Sequence, residues 1–220
     1  MTFEISEIAA AVKTSPSLSS VTVAKPNLIV AKAKFGKAKT LTDSTSIVYE
    51  CYDSFLNANA PASSSLNINV GSNAQFIDNQ EKVWLDDRPY NKGGFGYVDG
   101  KPSFISLKGK IKNTNKQQLL YTYLEEVTKY KIDLPKGVYE VELFFAEPEI
   151  TEAGKRVFDV SLNNNKLLST FDPAKEAGYC IATSKKTTIE IKGDEGLQIE
   201  LAPIVGKTIL NGISITKKVN

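Results

Sequence analysis

"KTTIEIKGDEGLQIELAPI", residues 186–204, places two alternating runs around a turn. Ile189 and Ile191 alternate with charged residues in the first run. Leu197, Ile199 and Leu201 alternate with Gln198 and Glu200 in the second. A period of two puts the apolar side chains on one face of an extended strand. "GDEG" (193–196) between them has the residue types that tight turns use. The stretch predicts two half-buried strands joined as a β-hairpin.

The same pattern extends outward. Strands are expected at "SLNINV" (65–70), "LLYTY" (119–123), "TKYKIDL" (128–134), "GVYEVELFFAEP" (137–148), "KRVFDVSL" (155–162) and "LNGISITK" (210–217). "NNN" (163–165) tolerates positive φ, so "KLLSTF" (166–171) should return as the hairpin partner of 155–162. Short strands separated by Gly, Asn, Asp and Pro argue for an all-β protein, an antiparallel β-sandwich. Local strand order does not separate an immunoglobulin-like sandwich from a jelly roll. In an extended 119–124, Tyr121 and Tyr123 would share one face, with Leu120, Thr122 and Leu124 on the other.

The first 64 residues differ. A short helical run, "SVTVA" and "NLIVAKA" precede "NANAPASSS" (57–65), which reads as a linker. Residues 1–64 are therefore expected to be an appendage and 65–220 the sandwich; a competing reading adds the early strands to the sandwich edge. The lysines of "AKAKFGKAKT" (31–40) suit an exposed edge strand that must not pair further.

Composition narrows the chemistry. The 220-residue chain is 41% hydrophobic and 24% charged, enough for a sizeable core. Its formal charge of +2 argues against a phosphate-neutralising nucleic-acid binder. No run of apolar residues is long enough for a transmembrane helix, and no signal peptide is legible. The absence of His excludes Ser-His-Asp triads, Cys-His dyads and the common His-based catalytic zinc sites. Cys51 and Cys180 read as two small buried hydrophobes, although spacing alone leaves their pairing open.

"KVWLDDRPYNKGGFGYVDG" (82–100) concentrates the only Trp with aromatic, acidic and Gly residues, and reads as a long loop on the β scaffold. Aromatic faces stack on sugar C–H patches, while Asp, Asn and Arg pair with hydroxyls. Tyr90, Phe95 and Tyr97 are the ligand-facing candidates; Trp84, within apolar "VWL", reads as an inward cap, and Phe95 has the same alternative. Catalysis would need two carboxylates facing one bond. Asp86–Asp87 and Glu125–Glu126 are adjacent and point to opposite strand faces, and Pro148 separates Glu147 from Glu149. A catalytic role is not expected.

"INVGSNAQFIDNQEKVWLDDRPY", "GVYEVELFFAEP", "GKRVFDVSLNNNKLLSTFD" and "LQIELAPIVGKTILNGISI" resemble the malectin family in order and spacing. They are most similar to the malectin-like domain at the C-terminus of bacterial family 2 glycoside hydrolases of the β-galactosidase type. The resemblance covers residues 66–217. It implies a jelly-roll (galactose-binding, malectin-like) sandwich that binds oligo- or polysaccharide through loops at one end, without catalysis. It implies an accessory domain whose partners are sugar and the other domains of a glycoside hydrolase, neither nucleic acid nor membrane. It also implies a bacterial secreted, periplasmic or cell-surface setting. "SLSSVTVA" (17–24) would then be the last strand of a preceding immunoglobulin-like domain.

Where the family carries "LYQTxR", this chain has "LLYTYLEE" (119–126), so the motif's Tyr falls on Leu120 and its Arg on Leu124. Tyr121 and Tyr123 are the replacement candidates. "FDPAKEAGY" (171–179) matches the loop after the central hairpin, where Asp172 and Glu176 are candidate acceptors for sugar hydroxyls; Asp172 has the alternative of holding the turn at Pro173. No cofactor and no specific metal site are expected, although the acidic loops leave room for a structural calcium. A purely structural accessory sandwich without a ligand is the alternative function.

Overall fold

The computed structural model describes Phe55, residues 65–105 and residues 111–218. The strands in chain order are β1 (Ser65–Asn69), β2 (Phe76–Ile77), β3 (Val83–Asp86), β4 (Phe95–Tyr97), β5 (Lys101–Phe104), β6 (Thr122–Glu125) and β7 (Lys129–Ile132). They continue as β8 (Gly137–Ala146), β9 (Val157–Leu162), β10 (Asn165–Phe171), β11 (Ala182–Ile191), β12 (Leu197–Val205), β13 (Ile209–Leu210) and β14 (Gly212–Lys217). One short helix, α1 (Pro173–Glu176), follows β10. The chain is a β-sandwich whose strands pair antiparallel except for β1 with β3.

A six-stranded sheet of order β11-β8-β14-β1-β3-β2 faces a five-stranded sheet of order β10-β9-β12-β7-β4. A small sheet, β13-β6-β5, closes one end. Alternation builds the core. Tyr139, Val141, Leu143 and Phe145 of β8 point inward, where they meet Phe158, Val160 and Leu162 of β9 and Leu197, Ile199 and Leu201 of β12. The rings of Phe145, Phe158 and Phe171 lie 4.9–6.2 Å apart. Burial of this apolar surface is the main drive to fold.

The hairpin expected at 186–204 does not form. Both strands are present, but β11 pairs with β8, while β12 pairs with β7 and β9 in the opposite sheet. Residues 192–196 arch across the sandwich, so Ile189 and Ile191 face Leu197 and Ile199 through the core instead of lying beside them. Alternation identifies a buried face but not the sheet that owns it. The hairpin at 155–171 does form. Leu162 pairs with Asn165, and Asn163 and Asn164 take φ of 46° and 65°.

Residues 82–100 are not one loop, since β3 and β4 lie within them. Trp84 is 1% exposed, its indole N–H donating to Asp78 at 2.9 Å. It belongs to a second apolar cluster with Leu119, Leu120, Phe144 and Ala182, separate from the main core. The expected strand at 119–123 begins with a 3-10 turn, Gln118–Leu120, and becomes extended only at Thr122. That turn puts Tyr121 against the Trp84 cluster and Tyr123 into the main core, so the two rings do not share a face. Cys180 is buried and free; Cys51, "SVTVA", "SLSSVTVA" and the lysines of 31–40 lie outside the described residues.

Phe55, N-terminal to the expected linker, sits in the main core at 4% exposure with its ring 6.3 Å from Tyr139. Phe55→Leu is expected to cost about 1 kcal/mol of stability, read as a fall in urea midpoint. An unchanged midpoint would show that the sandwich does not need this ring.

Asp87 ties the two sheets together beside the β1–β2 turn. Its carboxylate accepts from the Gly71 and Arg88 amides, each at 2.8 Å, and from the Tyr130 hydroxyl at 2.6 Å. Gly71 is required there, because a Cβ would lie 2.2 Å from the Tyr123 carbonyl oxygen. Burial pushes the Asp87 carboxyl up from 3.8 to about 6, against the pull of these donors. A raised carboxyl binds its proton more tightly in the folded state. Its contribution to stability is therefore full below 3.8 and lost as pH rises through about 6. Carbon-13 NMR of the Asp87 carboxyl is expected to show a midpoint near that value; one below 4 would refute the assignment.

Candidate functional site

Strand polarity gathers several connections at one rim. β8 ends there at Ala146, β9 begins at Val157, β11 begins at Ala182 and β12 ends at Val205. The turns at 147–156, 172–181 and 206–208 thus meet the end of β6 on the small sheet.

Arg156 organises this rim. It stands just before β9, is 1% exposed, and turns its guanidinium into the space beneath the turns. Its Nε donates to Glu147 at 2.6 Å, and its Nη1 to the Lys207 carbonyl at 3.1 Å. Its Nη2 lies 3.5 Å from Glu125 and 3.9 Å from Glu149. The other Glu147 oxygen accepts from the Glu149 and Ile150 amides at 3.0 Å each. Glu147 is therefore a fully engaged turn anchor, and Pro148 ends the strand as the sequence indicated.

Around this buried pair the surface is ionic. Lys207 pairs with Glu125 at 2.8 Å and Glu126 at 2.9 Å, and Lys101 reaches Glu126 at 2.9 Å. Hydrogen bonds donated to Glu125 and Glu126 hold the Lys207 ammonium above its ordinary range. Those from Lys101 and Lys207 hold Glu126 below its own. Glu149 is 60% exposed at its side chain and accepts from the Tyr123 hydroxyl at 3.0 Å. Desolvation first, and then this bond, raises the Tyr123 hydroxyl well above the usual phenol range. A bridge between Glu147 and Tyr179 brings Tyr179, 42% exposed, beside the same turn. The rim thus offers an exposed tyrosine on the segment bridged to Glu147 and, two residues from Glu147, the Glu149 carboxylate held by the Tyr123 hydroxyl. This pairing suits sugar stacking with hydroxyl acceptance.

The residues singled out in the sequence do not converge on one concavity. Phe95 is 1% exposed under the Arg88 guanidinium, 5.4 Å from its ring centre, so its face cannot meet a ligand. Tyr123 is 2% exposed and reaches the rim only through its hydroxyl. Tyr90 donates to Asp133 at 2.9 Å, with Lys131 4.8 Å over its ring, at the end of β7 away from the rim. Tyr97 is half-buried on β4 opposite Tyr130. Tyr121 is half-buried near Trp84, its hydroxyl on Gln117 at 3.3 Å.

Asp172 is 5% exposed and caps α1, accepting from the Lys175 amide at 3.1 Å and the Gly154 amide at 2.5 Å. This is the turn-holding role. Glu176 is exposed and paired with Lys185. Among the described residues no three acidic or Cys side chains converge as a metal-ligand set.

Sequence reasoning missed Tyr179, Arg156 and Lys207, and weighed Glu149 only as a catalytic partner. Nothing in "GKRVFDV" distinguishes inward Arg156 from exposed Lys155.

A family model, the Malectin domain, matches residues 64–215. The chain belongs to the malectin-domain family. Malectin domains are of a carbohydrate-binding, non-catalytic type. Among solved structures, the malectin domain described here is similar to the Bacteroides uniformis β-glucuronidase, at 32% identity and a TM-score of 0.68. That match covers 76% of this chain but only 19% of the glucuronidase. The ANX2 ectodomain from Arabidopsis thaliana shares the fold at 20% identity and a TM-score of 0.59, covering 70% of this chain and 50% of that one. No curated protein gives a significant sequence match.

Proposed function

We propose that this malectin domain is the sugar-binding accessory module of a larger extracellular glycoside hydrolase, with the rim at Tyr179 and Glu149 as its ligand contact. The observation that carries the reading is the exposed Tyr179, bridged to Glu147, at the same rim as the Glu149 carboxylate, which accepts from Tyr123 and lies 3.9 Å from Arg156. The similarity to a small part of a β-glucuronidase supports the hydrolase context. A β-galactosidase-type parent is the narrower form of the same proposal. A low-affinity contact suffices in that role, because tethering keeps substrate near the catalytic domain at high effective concentration.

A second reading is favoured by the ion pairs of Lys207 with Glu125 and Glu126, which fill part of the rim. It makes the domain a structural spacer with no ligand.

A glycan array separates the two, followed by Tyr179→Ala and Glu149→Gln in the strongest hit. Each variant is expected to weaken binding about tenfold, with an unchanged melting temperature, because each removes one ring or acceptor contact. An array without hits would support the spacer.

A further inference from the structure

We infer that the flank of the sandwich between β10 and β11 is a second carbohydrate site, a trough that takes an extended, uncharged oligosaccharide lengthwise. Its choice of ligand class rests on the sugar-binding reading above; one end reaches the 172–181 turn, but neither Tyr179 nor Glu149 lines it.

β10 and β11 are edge strands of the two facing sheets, with a seam between them. Two adjoining recesses of about 310 and 400 Å³ run along it. Half-buried Leu167 lines the first and Leu168 the second; Leu162, Ile189 and Phe171 lie beneath in the core, with the Lys185 ammonium 5.6 Å over the Phe171 ring. Lys185 to Lys192 spans seven residue steps, about 23 Å at the usual strand rise.

The walls are polar where a closed sandwich would be apolar. Ile189, Thr187, Lys185 and Thr183 of β11 pair with Tyr139, Val141, Leu143 and Phe145 of β8. All four β11 residues therefore lie on the core side of the sheet. The apolar pattern stops after Ile189, and Thr187 and Lys185 turn hydroxyl and ammonium groups into the seam. Thr170, Ser169 and Glu176 face them from the other wall. Donors and acceptors of both kinds beside the half-buried Leu167 and Leu168 match a sugar's hydroxyl edge and C–H faces.

Most charges on these walls are paired, and Lys175 stands with Asp172 at the second recess. Lys185 pairs with Glu176, Lys166 with Asp159 and Lys192 with Glu190. This balance favours a neutral chain over a uronate. A peptide adding as a strand is disfavoured by the edge itself. β10 carries two register shifts, and Thr170 takes φ of 49°, so its free backbone groups do not form a continuous ladder.

The test uses the full chain titrated calorimetrically with cello-, laminari- and malto-oligosaccharides, each as dimer and hexamer, with polygalacturonate fragments and a strand-forming peptide alongside. In at least one neutral series the hexamer is expected to bind about tenfold tighter than its dimer, because it spans both recesses. Thr187→Trp fills the trough and should reduce the hexamer to the dimer's affinity. Tyr179→Ala at the rim should leave that length dependence intact. A folded Thr187→Trp protein, by its melting temperature, that keeps full hexamer affinity would overturn the trough and leave the rim standing. So would a preference for polygalacturonate or for the peptide. Loss of length dependence in Tyr179→Ala alone would assign the whole effect to the rim.

Discussion

Arg156→Met is expected to lower stability by about 3–5 kcal/mol, the range seen when one partner of a buried ion pair is removed. The cost does not come from Arg156 alone. Glu147 is 0% exposed and would keep a charge with no cation beside it. The Lys207 carbonyl would lose its donor, and Glu125 and Glu149 would lose a counter-charge. Two rim turns, 147–156 and 206–208, and the end of β6 meet that one guanidinium, so their geometry should loosen together. Urea unfolding followed by circular dichroism reads the effect as a lower midpoint with an unchanged slope. Glu147→Leu/Arg156→Met should recover part of the loss, because no buried charge then lacks its principal partner. A single variant within about 0.5 kcal/mol of the parent would mean that Arg156 is solvated in solution.

Trp84→Ala should cost a similar amount, about 3–5 kcal/mol. The indole stacks on Phe76 at 6.1 Å between ring centres and meets the edge of Phe144 at 5.6 Å. Its removal would leave a cavity in the cluster that also holds Leu119 and Leu120. It would also leave one Asp78 oxygen without the indole donor, while the other keeps the Gln80 and Lys82 amides. Trp84→Phe retains most of the volume and loses the hydrogen bond, so it should cost about 1–3 kcal/mol. Equal losses in the two variants would contradict a packing origin for the larger effect.

The fold was legible because β8, β9, β11 and β12 alternate over much of their length, and alternation survives burial on one face. The Asn163–Asn164 turn was legible for a local reason: two residues at positive φ fix a short hairpin. The pairing of 186–204 was not local. Whether Ile191 and Leu197 become neighbours in one sheet or opposites across the core depends on β8 and β9, which lie elsewhere in the chain. The break before Thr122 had the same origin, since the 3-10 turn is held by apolar partners from β3 and β8.

The site was less legible than the fold. Aromatic content drew attention to 82–100, yet Phe95 and Trp84 are buried for packing. The outward ring at the rim is Tyr179, at the end of a segment read for its carboxylates. A side chain's face depends on register and on the residues that fill the space beneath it. The sequence pattern around Tyr179 and Arg156 encodes neither.

Amide-resolved NMR with a disaccharide taken from the strongest array hit tests the binding claim most directly. Fast-exchange shifts are expected to be confined to residues 147–150, Tyr179 and the 206–208 turn, and to saturate with added sugar. Shifts that avoid these residues, or a spectrum unchanged by any glycan, would contradict that claim.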